Sequence, residues 1–88
     1  MAAATLALKV TLGDTWRSLH LSAAPDETIA QVKLRTLAAE AIGAERAGDY
    51  EVKFGGARVR DESWTLAAAG VPDGGALVVL ARRRRAVR

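Results

Sequence analysis

The sequence predicts an α+β fold in which a sheet of four to five strands packs against one main helix. Three observations predict it: alternating apolar residues near the start, one helical pattern in the middle, and an all-apolar segment near the end. The 88 residues suffice for one hydrophobic core and are too few for two. We therefore expect one domain over residues 6–81, preceded by a flexible start at 1–5 and followed by a basic tail at 82–88.

The first two strands are indicated by period-two patterns. Apolar residues alternate with less apolar ones from Leu6 to Leu12, which is typical of a strand buried on one face. A turn at residues 13–15 leads to a second alternating segment, 16–21, with Leu19 and Leu21 on one face. These two segments predict an N-terminal β-hairpin.

One helix is predicted after this hairpin. Thr28 stands where an N-cap residue belongs, and Ile29, Val32 and Leu37 follow at near-helical spacing. Gly43 stands where a left-handed residue would end the helix. The expected helix has about four turns.

The remaining elements complete a ββαββ order. A third strand is expected at residues 50–54, ending at Gly55 and Gly56, and a very short one at 58–60. A short helical or turn segment at 64–70 and a loop at 71–75 precede a last strand at 77–80. Because this last strand is apolar on successive residues, it should lie centrally, with a neighbour on each side.

The large apolar residues at these inward positions should form the core. The predicted core consists of Leu8, Val10, Leu19, Leu21, Ile29, Val32, Leu37, Val52, Phe54, Leu66, Val71, Leu77 and Val79.

The charge is concentrated at one end. The net charge is +3, but five of the 13 basic residues are Arg82, Arg83, Arg84, Arg85 and Arg88, so residues 1–81 carry 8 basic against 10 acidic residues. The body is therefore mildly acidic. The basic tail is interpreted as a solvated terminus that aids solubility or binds an acidic partner, while binding to nucleic acid or an anionic membrane is the competing hypothesis.

Several segments together resemble ubiquitin-like β-grasp domains over residues 6–82. They are Thr28-Ile29 with Val32-Lys33, then 52–56, Thr65-Leu66, 70–74 and 77–80. The resemblance implies a mixed sheet and a protein that binds other proteins. The stretch 65–71 also resembles the small ubiquitin-like components of bacterial type VII secretion systems.

The resemblance implies a partner-binding surface on the open face of the sheet, at Lys53, Val78 and Leu80. The alternative is that the two apolar residues are ordinary surface hydrophobes. Trp16 is a further candidate contact, with a packing role weighted equally, because tryptophan is frequent in binding hot spots. Trp64 is expected to pack as a lid over the edge of the core.

No residue pattern indicates catalysis. Cysteine is absent, and His20 is the only histidine, on an exposed strand face without a partner that the sequence can assign. We expect no enzyme, cofactor, metal or small-molecule substrate. Conjugated members of the family end in Gly-Gly, whereas Gly74-Gly75 precedes the last strand here.

The sequence thus predicts a cytoplasmic, non-enzymatic adaptor or regulatory module that binds a protein partner. The first alternative is a basic-tailed binder of nucleic acid or membrane. The second is a conjugated modifier that needs processing. An apolar segment long enough to span a membrane is absent from the sequence.

Overall fold

The computed structural model describes residues 5–13 and 17–82, and in them it shows a five-stranded mixed sheet with a helix packed on one face. Its elements are β1 (Leu6–Leu12), β2 (Arg17–Ala23), α1 (Ile29–Ala39), a 3-10 helix (Ala44–Asp49), β3 (Tyr50–Phe54), β4 (Ala57–Arg58), α2 (Leu66–Ala69) and β5 (Ala76–Ala81). Trp16, nearly all of the predicted flexible start and most of the basic tail lie outside the described residues.

The strand order is β2-β1-β5-β3-β4. β1 and β2 form the predicted antiparallel hairpin, with Val10 opposite Leu19. β5 runs parallel to β1 and antiparallel to β3, so it lies at the centre of the sheet, as its run of apolar residues predicts.

α1 begins where the sequence predicts and ends earlier. The Thr28 side chain accepts a hydrogen bond from the Gln31 backbone, and the Gln31 side chain accepts one from the Thr28 backbone, which is a complete capping box. The prediction that Gly43 ends the helix is wrong. Ala41 takes the left-handed conformation instead, with φ 61°, and Ile42 N–H closes the last turn on Leu37 O.

One core lies between α1 and the sheet. Its buried members are Leu8, Val10, Leu12, Ala23, Ile29, Val32, Leu37, Tyr50, Val52, Leu66, Val71, Leu77 and Val79. Three predicted members, Leu19, Leu21 and Phe54, are only partly buried. The leucines lie on β2, which has a neighbour on one side only, and Phe54 ends β3 beside an open cavity.

A buried ion pair joins α1 to the segment before α2. Lys33 is 4% exposed, and its ammonium lies 2.6 Å from Glu62 Oε1 and donates to Tyr50 O at 3.1 Å. Thr36, also buried, donates its hydroxyl to Val32 O at 3.0 Å. Both buried polar side chains therefore have partners, as buried polar groups require.

Candidate protein-binding face

Among residues 5–13 and 17–82, no helix packs on one face of the sheet, which we call the open face. On β1 and β2, the apolar side chains on the core side are buried or partly buried, while Lys9, His20 and Ser22 on the other side are exposed. The helix covers only the inner face, on which Leu8 and Val10 are buried. The outer face is consequently accessible to a partner.

Three predicted residues meet at the centre of this face. Lys53 on β3 is directly opposite Val78 on β5, and Leu80 lies two residues further along β5, opposite Glu51. All three side chains are partly exposed. The structure therefore brings Lys53, Val78 and Leu80 together, and we call them the β5 patch.

The neighbouring strand β1 shapes the patch. Thr11 is paired with Val78 from the side opposite Lys53, and its hydroxyl lies 3.2 Å from the Ser18 hydroxyl. Gly13 donates its N–H to Val79 O, and a Cβ at Gly13 would clash with Leu80 Cδ2. The absence of a side chain at Gly13 thus makes room for Leu80 beside the residue that follows β1.

Basic side chains surround the patch. Lys53 belongs to it, Lys9 lies on the same face, and Arg58 is directly opposite Lys53 on β4. Glu51 is the acidic residue among them, and its carboxylate lies 3.8 Å from the Arg58 guanidinium. Within residues 5–13 and 17–82, the open face therefore combines two apolar side chains with an excess of positive charge.

The predicted basic tail starts beside this face. Arg82 is exposed, and its backbone N–H donates to Asp49 O at 2.7 Å, which fixes the start of the tail at the end of β5. Arg83, Arg84, Arg85 and Arg88 lie outside the described residues, as does Trp16. Their predicted roles are not tested by the structure.

The Asp61 carboxylate and the Ser63 hydroxyl are hydrogen-bonded to each other. The Ser63 hydroxyl and backbone N–H both donate to Asp61 Oδ1, and these hydrogen bonds lower the pKa of the Asp61 carboxyl below 3.8. His20 is exposed opposite Lys9. In the described part of the chain no cluster of three His, Asp or Glu side chains could hold a metal, and no helix could cross a membrane.

Trp64 is not the packed lid that the sequence predicts. It is 48% exposed and lies beside an open cavity of about 290 Å³. The apolar walls of this cavity come from Phe54, Ala57, Val59, Trp64 and Ala69. Arg58 and Arg60 complete the lining, to which the described part of the chain contributes no acidic residue.

The residues around the β5 patch and the cavity beside Trp64 were not predicted from the sequence. Thr11, Gly13 and Glu51 adjoin the β5 patch only because of the strand pairing, which a single sequence does not give. Alternation within β3 does place Glu51 and Lys53 on one face, and that signal was available. The cavity depends on Ala69 meeting Phe54 and Trp64 across the fold, so local sequence carries no signal for it.

Comparison with solved structures shows that the fold is ubiquitin-like. Ubiquitin of Caldiarchaeum subterraneum is 20% identical with a TM-score of 0.78, over 94% of this chain and 100% of that one. A ubiquitin-like domain of an Arabidopsis thaliana protein is 16% identical with a TM-score of 0.77, over 99% of this chain and 88% of that one.

A designed protein based on ubiquitin is 18% identical with a TM-score of 0.76, over 96% of each chain. No protein-family model and no curated protein matches the sequence. At these identities the likeness defines the fold, which is the ubiquitin-like β-grasp expected from the sequence, and leaves function to the residues. The expected link to bacterial type VII secretion finds no support among these structures.

Proposed function

We propose that this chain is a non-enzymatic ubiquitin-like interaction module that binds a partner protein through the β5 patch, as an adaptor or regulator in the cytoplasm. The observation that carries the proposal is the placement of Val78 and Leu80 side by side on the central strand of an uncovered sheet face. Central strands are the most firmly held part of a sheet, so the two side chains form a preorganised surface.

The chemistry of the face specifies the partner. An interface gains most from an apolar centre that loses water completely and a polar rim that fixes orientation. Val78 and Leu80 supply the centre, while Lys9, Lys53 and Arg58 supply a positively charged rim. The partner should therefore present an apolar side chain surrounded by carboxylates.

A pull-down from the source cell tests this proposal. The intact chain, a Leu80→Asp variant and a chain that ends at Ala81 are compared, with bound proteins and nucleic acids both identified. We expect a defined protein that is lost with Leu80→Asp and retained by the shortened chain. Capture of the same protein by Leu80→Asp at the wild-type level would contradict the proposal.

A matched control separates binding from folding. Leu34 lies on α1, away from the open face, and is 38% exposed, so Leu34→Asp introduces the same charge at a surface leucine on the other side of the sheet. We expect Leu34→Asp to capture the partner normally. Thermal unfolding of both variants shows whether either change has disturbed the fold.

A second candidate function rests on the basic tail. Arg82 is exposed at the edge of a face that is already basic, so arginines that follow it would add to the same field. If the tail binds nucleic acid or an anionic membrane, we expect the opposite result in the pull-down. The ligand would be lost with the shortened chain and retained by Leu80→Asp.

Conjugation to other proteins is the third candidate and has the least support. Gly74 has φ +82°, and a Cβ at Gly75 would lie 2.9 Å from Pro72 O and from Val71 Cγ1. The glycine pair therefore serves the turn before β5. Mass spectrometry of cell extract that finds the chain attached to other proteins would favour this candidate over the adaptor.

A further inference from the structure

The cavity beside Trp64 lies apart from the β5 patch. Phe54 is paired with Leu77, which is fully buried, so Phe54 points to the inner side of the sheet, whereas Lys53 and Val78 point outward. The cavity opens between β4, the following segment and α2, where Ala69 forms part of its wall. Arg58 adjoins both sites, but Phe54 and the β5 patch lie on opposite sides of the sheet, so a ring inserted beside Phe54 would not contact Val78 or Leu80.

Trp64 is held firmly although half of its surface is exposed. Its backbone N–H donates to Asp61 O at 3.1 Å, and its carbonyl oxygen accepts the N–H of Ile29 at 2.9 Å. Ile29 is fully buried at the start of α1, so the backbone of Trp64 is fixed to the core. A large aromatic side chain on a fixed backbone loses little conformational entropy on binding, which favours a binding role.

The size of the cavity limits the ligand. Pockets for cofactors and drug-sized molecules have volumes of about 300 to 1,000 Å³. The volume here is about 290 Å³ and the cavity is open on one side, so it suits a single large side chain rather than a cofactor. Walls formed by Phe54 and Trp64 favour an aromatic ring in edge or offset contact.

The charge of the cavity lining indicates which group of the ligand should lie next to its aromatic ring. Arg58 and Arg60 are the two charged residues that line the cavity. The Arg58 guanidinium forms an ion pair with the Glu51 carboxylate at 3.8 Å. Arg60 is exposed and forms no ion pair within the described part of the chain. The neighbouring Asp61 accepts two hydrogen bonds from Ser63. A ligand with a carboxylate next to its ring would meet Arg60 without competition.

We propose that this cavity is a second docking site, which binds a segment of a partner protein by one aromatic side chain in the cavity and an adjacent carboxylate on Arg60. The site goes beyond the β5 patch and would let the module hold two segments at once. Stacking of a nucleic-acid base on Trp64 is the competing occupant. The concave cavity, with Ala57 and Ala69 in its lining, favours an inserted side chain over a base stacked on an open ring.

Selection of peptides tests the proposal directly. A random library of short peptides is selected on the intact chain, and the affinity of recovered peptides is measured by fluorescence in a Trp16→Phe background, where Trp64 is the one remaining tryptophan. We expect a shared pattern of an aromatic residue close to an aspartate or glutamate. Binding should shift the Trp64 emission to shorter wavelength.

Two variants address the two contacts. Ala69→Leu fills the cavity without removing a surface group, and Arg60→Glu reverses the charge. Each should weaken peptide binding at least about tenfold, the effect typical of an interface hot spot. Leu80→Asp on the open face and Arg46→Glu on the 3-10 helix serve as controls, and both should bind normally.

Several results would overturn the proposal. They are recovered peptides without the aromatic and acidic pattern, normal binding by Ala69→Leu or Arg60→Glu, or binding that depends on Leu80. Failure to recover any peptide would overturn it as well. A single-stranded oligonucleotide bound in preference to peptides, and released by Arg60→Glu, would assign the site to nucleic acid. Because Leu80→Asp is scored separately, failure here leaves the role of the β5 patch intact.

Discussion

The buried ion pair between Lys33 and Glu62 permits a worked prediction of stability. Unit charges 2.6 Å apart attract by about 6 kcal/mol at an effective dielectric constant of 20, before the cost of desolvation is subtracted. Removing one partner of a fully buried pair costs about 3 to 5 kcal/mol, because the other charge is left without compensation. The Glu62 side chain is 18% exposed, so water replaces part of the lost interaction. We therefore expect Glu62→Gln to cost about 2 to 3 kcal/mol.

A double-mutant cycle separates the pair from its surroundings. Lys33→Met keeps the apolar stem of the side chain and removes the hydrogen bond to Tyr50 O, at a cost of about 1 to 3 kcal/mol. The double variant has no unpaired buried charge. It should cost less than the sum of the two single variants by about 1 to 2 kcal/mol.

Urea unfolding monitored by circular dichroism measures all four proteins, with the midpoint and slope fitted separately. A domain of this size is typically stable by about 5 kcal/mol or somewhat more, so each variant should remain folded in water. If the two single-variant costs add up to that of the double variant within about 0.5 kcal/mol, the charges of Lys33 and Glu62 do not interact and the ion pair does not stabilise the fold.

Three further changes test the local structure. Leu66→Ala removes a fully buried side chain and should cost about 2 to 5 kcal/mol in urea unfolding, and an unchanged midpoint would show that Leu66 is misplaced. Ala41→Gly relieves the left-handed conformation and should raise stability by about 0.5 to 1 kcal/mol, whereas a loss would argue against φ 61°. The hydrogen bonds from Ser63 lower the pKa of the Asp61 carboxyl, so they stabilise the fold fully at pH values above its ordinary pKa of 3.8. This contribution is lost as the pH falls through the lower pKa of the folded state. The advantage of the wild type over Ser63→Ala should hold at about pH 5 to 7 and shrink below pH 3.8, and a pH-independent difference would contradict the assignment.

The fold was predictable from the sequence because its signals are local. The strand alternation, the N-cap at Thr28 and the apolar run of β5 are each set by neighbours within a few residues, and the structure confirms them. The end of α1 was not predictable in this way, since Gly43 gives the expected local signal but Ala41 adopts the left-handed conformation instead. The helix ends here because the Ile42 N–H donates to Leu37 O and closes the last turn.

The candidate site was predictable only in part. The family resemblance selected Lys53, Val78 and Leu80, and the strand register places them together. The burial of Lys33 could not be foreseen, because its partner Glu62 is distant in sequence. The cavity at Trp64 likewise arises from contacts between residues that only the fold brings together.

Binding of a protein by the open sheet face can be followed by NMR, from the amide chemical shifts of the chain before and after addition of the captured partner. We expect the perturbed amides to cluster around the β5 patch and its neighbour on β1, at Thr11, Lys53, Val78 and Leu80. Perturbations centred on α1 around Leu34, with the open face unchanged, would contradict it.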